Sequence, residues 1–140
     1  MQRTLAILKP DAVGSGKAGV ILAHLEDEGF RICALRMLHL SIDQAREFYA
    51  VHRERPFYDS LVQFMTSAPC IPVLLEREDA VGALRAVIGA TDPAEADAGT
   101  VRALHAESKE RNAIHASDSV ENAAREARFF FAEADEIAAR

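Results

Sequence analysis

The chain has 140 residues, 49% of them hydrophobic, enough apolar surface for one compact domain over residues 1–140 with a single core. No stretch approaches the ~18 consecutive apolar residues of a membrane span, and Met1-Gln2-Arg3-Thr4 opens no apolar signal segment, so a cytoplasmic protein without a membrane partner is expected. The net charge is −6, most of it in residues 92–140, which is a poor footprint for nucleic acid but no obstacle to a small anion held by a few convergent Lys and Arg side chains.

Arg3 to Lys9 reads as a short buried strand, stopped by Pro10-Asp11 with a lysine left at its end. Gly14-Ser-Gly-Lys-Ala18 approaches a phosphate-binding loop, but Asp11 stands where that motif needs its first glycine and Ala18 where it needs Ser or Thr; a surface turn is the better reading. Ala18, Ile21, Leu22 and Leu25 repeat at helical spacing, with Gly29 placed to end the helix. Phe30 to Leu40 reads as a second strand. Ser41-x-x-Gln44 then has the form of a capping box before Ala45, Phe48, Tyr49 and His52, and a shorter helix covers Asp59 to Thr66.

Ile71 to Leu75 is a third strand, in which Pro72 predicts an edge, a bulge or an unpaired N–H position. Asp79 to Val87 suits a helix ended by Gly89, and Asp92 to Thr100 has no periodicity. Ala113 to Ser117 is a short final strand. Asp118-x-x-Glu121 caps the last helix, where Val120, Ala123, Ala124, Ala127 and Phe131 form an apolar stripe with Glu126 off it. This order predicts an α+β fold: a ferredoxin-like antiparallel sheet (βαββαβ) with additional helices, packed on one face of the sheet.

Cys33 and Cys70 lie in apolar runs and read as small buried hydrophobes, and the five histidines show no metal-ligand spacing, so no protein-held metal is expected. His115 differs from the other four because it joins a short strand to a capped helix among small and hydroxyl residues. A neutral imidazole can attack phosphorus, although spacing alone does not separate this role from a structural one. Lys9, closing an apolar strand beside a helix start, is well placed for an anion. Tyr49 at core spacing, Arg85 on a charged helix and Phe57 after Pro56 each have an ordinary packing or solvated reading as well.

Five blocks in order, Thr4-Leu-Ala-Ile-Leu-Lys-Pro-Asp-Ala-Val13, His52-Arg-Glu-Arg-Pro-Phe-Tyr58, Ile88-Gly-Ala-Thr-Asp-Pro-Ala-Glu-Ala96, Gly99-Thr-Val-Arg102 and Asn112-Ala-Ile-His-Ala-Ser-Asp-Ser119, resemble the nucleoside diphosphate kinases from about Arg3 to Phe131. The resemblance implies an enzyme that moves the γ-phosphoryl group of a nucleoside triphosphate to a nucleoside diphosphate through a phosphorylated histidine, His115, by a ping-pong mechanism. It implies that Lys9, Arg85, Thr91, Arg102 and Asn112 hold the phosphates and sugar, that the base stacks on Phe57, and that Tyr49, Ser117 and Glu126 surround and orient the histidine. It further implies Mg²⁺ bound through the nucleotide phosphates, and self-association of dimers into tetramers or hexamers; a one-sided sheet with a face to cover points the same way.

The chain departs from the family pattern at Leu104-His105, Lys109, Ala68 and Ala116, the last two standing where glycine is usual. If residue 116 needs a positive φ, alanine there costs about 1 kcal/mol or more. Two other readings compete: a catalytically weak regulator of the same family, and a ferredoxin-like ligand-binding module without activity.

Overall fold

The computed structural model describes residues 1–138. Its four strands, β1 (Gln2–Leu8), β2 (Arg31–Leu35), β3 (Ile71–Arg77) and β4 (Ile114–Ala116), form one antiparallel sheet in the order β2-β3-β1-β4. The helices are α1 (Pro10–Gly14), α2 (Ala18–Asp27), α3 (Ile42–Phe48), α4 (Tyr58–Met65), α5 (Ala80–Ile88), α6 (Val101–His105) and α7 (Val120–Phe130). This is an α+β, ferredoxin-like sheet with additional helices. Among the described residues no helix is long and apolar enough to cross a membrane.

The helices are not confined to one face, as the strand pattern led us to expect. Leu5 and Ile7 of β1 point into a cluster with Phe48, Val62, Met65 and Phe130 of α3, α4 and α7, whereas Ala6 and Leu8 point into a second cluster with Ile21, Leu25, Leu84 and Ile88 of α2 and α5. The core is therefore two layers with the sheet between them. The unbroken apolar run Leu5-Ala-Ile-Leu8 is the signature of a strand buried on both sides, and it outweighs the fold-class expectation.

β1 is central, pairing with all seven residues of β3 on one side and with β4 on the other. Pro72 consequently lies in an interior strand, not an edge. Its carbonyl accepts the Arg36 N–H (3.3 Å), so its nitrogen faces the place where β2 stops, and pairing resumes only at Leu38 and Cys70. The missing donor thus falls where no partner needs it, and β2 ends at Leu35 instead of running to Leu40.

The Ser41 capping box forms in full: the Ser41 hydroxyl accepts the Gln44 N–H (3.1 Å) and the Gln44 side chain accepts the Ser41 N–H (2.9 Å). Helices α1 and α6 were not foreseen, because five residues are too few to show a period. On α7 the buried face is Ala123, Glu126 and Phe130, with Ala127 packed beside it, and Val120 is exposed. Glu126 therefore sits on the inward stripe, a correction whose reason appears below.

At the far end of the sheet the buried Glu76 carboxylate takes a hydrogen bond from Arg3 and another from Arg31, both 3.0 Å. The same guanidiniums reach the carbonyls of Ile137 (2.9 Å) and Ala138 (3.0 Å), and the Ile137 N–H donates to Cys33 (3.0 Å). Burial alone would push the Glu76 carboxyl up, but the two arginines outweigh it and hold it below the ordinary glutamate value of 4.5. The stability this group contributes is complete above 4.5 and is lost as pH falls through its lower folded value. The Tm advantage of the wild type over Glu76→Gln should therefore shrink as pH is lowered from 6 to 3. A gap that stays constant over that range would contradict this assignment.

Candidate active site

The site is organised by β4, three residues long, which lays His115 opposite Ile7 of β1. Its approach is strained. Ala113 has φ +73° and the Ile114 N–H closes a γ-turn on the Asn112 carbonyl (2.9 Å). The buried Asp11 carboxylate fastens the turn by accepting the Ala113 N–H (3.0 Å), and the Lys9 N–H donates to the Ala113 carbonyl (2.9 Å).

His115 Nε2 lies 2.6 Å from Glu126 Oε1, and the same oxygen accepts the Ser117 hydroxyl at 3.0 Å. A carboxylate there assigns the ring proton to Nε2, leaving the Nδ1 lone pair with no hydrogen-bond partner among the described residues. The rings of Phe48 and Tyr49 meet the imidazole edge-on, at centroid distances of 5.7 and 6.4 Å. Tyr49 is itself buried, and burial, with Cys70 and Glu126 adding to it, pushes its hydroxyl well up, so it stays neutral.

Two guanidiniums flank the histidine along β4. Arg102 donates to the carbonyl of Ile114 (2.7 Å) and to Gly89 (3.0 Å), while Arg85 approaches the carbonyl of Ala116 (3.5 Å). Arg102 Nε is buried without a partner among the described residues. Desolvation, with Arg85 adding to it, lowers Arg102 to about 10, which leaves it charged at neutral pH. Gly89, at φ +87°, closes α5 so tightly that a Cβ would lie 2.6 Å from the Thr100 hydroxyl.

Lys9, 6% exposed, donates from Nζ to the Glu110 carbonyl and the Asn112 side chain, both 2.9 Å, and the Asn112 amide reaches the Thr91 carbonyl (3.3 Å). Arg85, Thr91 and Arg102 line an open cleft of about 350 Å³ beside this chain of contacts. The sequence candidates thus form two touching sets, His115 with Glu126, Ser117 and Tyr49, and Lys9 with Asn112, Thr91, Arg85 and Arg102. Phe57 stands apart at the start of α4, half exposed, with its ring 5.4 Å from that of His52. The parts of Asp11, Glu110 and Phe48 in the site are not foreseen from the sequence; an acid two residues after Lys9 inside an apolar stretch is the signal for the first.

The family sequence profile for nucleoside diphosphate kinase matches residues 2–136. Nucleoside diphosphate kinase of Chlorobium chlorochromatii is 60% identical over 131 residues, 94% of each chain, and that of Chlorobium limicola 56% identical over 137 residues, 98% of this chain and 97% of the other. Among solved structures, the Aquifex aeolicus nucleoside diphosphate kinase superposes with a TM-score of 0.95 at 46% identity, covering 97% of this chain and 99% of that one. The halophilic enzyme of Halobacterium salinarum, solved in complex with CDP, gives 0.94 at 33% identity, covering 99% and 93%.

The chain belongs to the nucleoside diphosphate kinase family. It is an enzyme of the phosphotransferase class. None of its departures from the family pattern falls on a candidate site residue. Neither Ala68 nor Ala116 has a positive φ, so alanine replaces the usual glycine at both without backbone strain. The strained residue is Ala113, three positions earlier. Leu104 and Lys109 are exposed, and His105 accepts from Lys17 Nζ (3.3 Å) through its carbonyl, away from the histidine.

Burial, with Arg102 adding to it, lowers Lys9 to about 8 against the opposing pull of Asp11 and Glu110. An anion bound beside Lys9 favours its charged form, so binding takes up a proton and weakens as pH rises through about 8. The Kd for ADP should therefore increase between pH 7 and pH 9 in the wild type and change less in Lys9→Met. Equal pH dependence in the two proteins would show that Lys9 does not titrate there.

Proposed function

We propose that residues 1–140 form a single nucleoside diphosphate kinase domain that transfers the γ-phosphoryl group from a nucleoside triphosphate to a nucleoside diphosphate in two half-reactions through His115. The observation that carries this reading is a histidine whose Nε2 is engaged by Glu126, whose Nδ1 is free, and whose strand neighbours are held by two guanidiniums. Nδ1 attacks the γ-phosphorus as the bond to the departing diphosphate breaks, the electron pair leaving with the diphosphate. The Nε2 proton stays against Glu126, which offsets the positive charge the ring acquires. The second half-reaction reverses this onto the acceptor.

Phosphoryl transfer asks mainly for positioning and positive charge. Lys9, Arg85 and Arg102 supply the charge, and the unpartnered Arg102 Nε is a donor waiting for a phosphate oxygen. Thr91 and Asn112 complete the phosphate and sugar contacts, and Tyr49 and Ser117 fix the ring and its carboxylate. A base stacked on Phe57, with no edge read by hydrogen bonds, suits purines and pyrimidines alike; the CDP bound by the halophilic relative is in keeping with this. Mg²⁺ fits as an ion carried in on the nucleotide, because the cleft sets only two carboxylates, Glu95 and Asp97, beside Arg85, Arg102, Thr91 and Thr100, and no three metal-ligating side chains gather among the described residues. When bound it neutralises phosphate charge.

We further place the enzyme in the cytoplasm, in keeping with Cys33 and Cys70 as buried free thiols. Self-association of dimers into a tetramer or hexamer is also proposed. Its support is no longer an open sheet face but the edge strand β2 and the segment just after it, where Leu35 and Met37 are 45% and 60% exposed.

Mixed with γ-labelled ATP and no acceptor, the protein should retain label as a phosphoramidate, stable in base and lost in mild acid, and any nucleoside diphosphate should discharge it. His115→Gln should bind nucleotide but neither label nor turn over. Labelling of His115→Gln, or its turnover near the wild-type rate, would overturn the mechanism.

A further inference from the structure

Glu110 joins the two halves of the cleft. Its backbone carbonyl accepts Lys9 Nζ (2.9 Å), while its side-chain Oε2 accepts the Ser60 hydroxyl at 2.6 Å, across fifty residues of sequence. Ser60 lies in the first turn of α4. The next residue along the loop, Arg111, sets its guanidinium 5.5 Å from the ring of Phe64, and is itself tied to Glu107 (2.7 Å). Ser60 and Phe64 are four apart and share a face of α4. The loop at 107–111 therefore lies along that face, fastened at two successive turns.

One turn earlier the same row of α4 reaches Phe57, at the helix N-cap. Phe57 is 47% exposed, and its ring faces His52 at 5.4 Å. The contacts at Ser60 and Phe64 thus fix how far the Phe57 ring stands from the loop and from Lys9. α4 is itself anchored in the core through Val62 and Met65, and its Phe64 ring also meets Lys9 Nζ at 5.4 Å, so what the Ser60–Glu110 hydrogen bond and the Arg111 ring contact fix is where the loop at 107–111 lies against the helix. An acceptor with charge makes the first of these the stronger.

Resting on the proposed nucleoside diphosphate kinase reaction, we propose that the Ser60–Glu110 hydrogen bond is a clasp that sets the width of the nucleoside slot beside Phe57. Ser60 and Glu110 are positioning residues: neither touches the reacting atoms. The clasp holds the slot near its bound width before nucleotide arrives, so its loss lowers nucleoside affinity and leaves the chemistry at His115 unchanged.

The test measures KM and kcat for ADP and GDP in Ser60→Ala, Glu110→Ala and the double variant, beside labelling of His115 by phosphoramidate, a donor with no nucleoside. Each single variant should raise KM about three- to fivefold with kcat within about twofold, the range that loss of one hydrogen bond allows. The double variant should be no worse than either single one, and Ser60→Thr, which keeps the hydroxyl, should restore the wild-type KM. Labelling by phosphoramidate should be unchanged throughout. Unchanged KM in an active enzyme overturns the clasp alone, as do additive effects or an equal loss of phosphoramidate labelling, which would mark a general structural defect. A wild type that cannot be labelled by any donor overturns the reaction itself and the clasp with it.

Discussion

The hydrogen bond between Glu126 and His115 is the contact on which the site depends. A carboxylate on the inward face of a helix is expensive to bury and is retained only where donors meet it. Here two do, the imidazole N–H at 2.6 Å and the Ser117 hydroxyl at 3.0 Å. In return the carboxylate selects the tautomer, fixes the plane of the ring and leaves one nitrogen available. It also explains the short β4: three residues of pairing with β1 suffice, because α7 supplies the other support for the histidine.

The two-layer core divides the work. On one side of the sheet, the end of α3 and α7 bring Phe48, Tyr49 and Glu126 to the imidazole; the other layer includes α5, which carries Arg85. β1 and β4 lie between the layers, so the His115 ring meets Phe48, Tyr49 and Glu126 while the carbonyls on either side of it meet Arg85 and Arg102. The cationic side is held at a cost in stability. Lys9 is pushed down to about 8 by burial, aided by Arg102, and Arg102 keeps one buried donor unpaired. Such groups lower stability until an anion meets them, the usual tension between a functional site and the fold that carries it.

Much of this was legible before any coordinates. The Ser41 capping box, the lysine closing β1 and the position of His115 between a strand and a capped helix all reflect local rules, which short-range sequence expresses directly. Glu126 was misplaced because an apolar-stripe reading assumes that the inward face is apolar, and this one is built around a carboxylate. Pro72 fits the last of the three alternatives its sequence offered, an unpaired N–H position: its missing N–H excludes it from a ladder on one side only, and the end of β2 provides that side. The strain at Ala113 and the parts played by Asp11 and Glu110 depend on contacts about a hundred residues apart, for which local pattern carries no signal.

With Nε2 held by Glu126, Nδ1 is the ring nitrogen left for phosphorus. Phosphorylated enzyme prepared with ATP, digested in base where the phosphoramidate survives, can be resolved into its two phosphohistidine isomers by phosphorus NMR. The account predicts the Nδ1 isomer from the wild type. Phosphorus found on Nε2 would mean that the Glu126 bond is broken in the reacting state, and would contradict it.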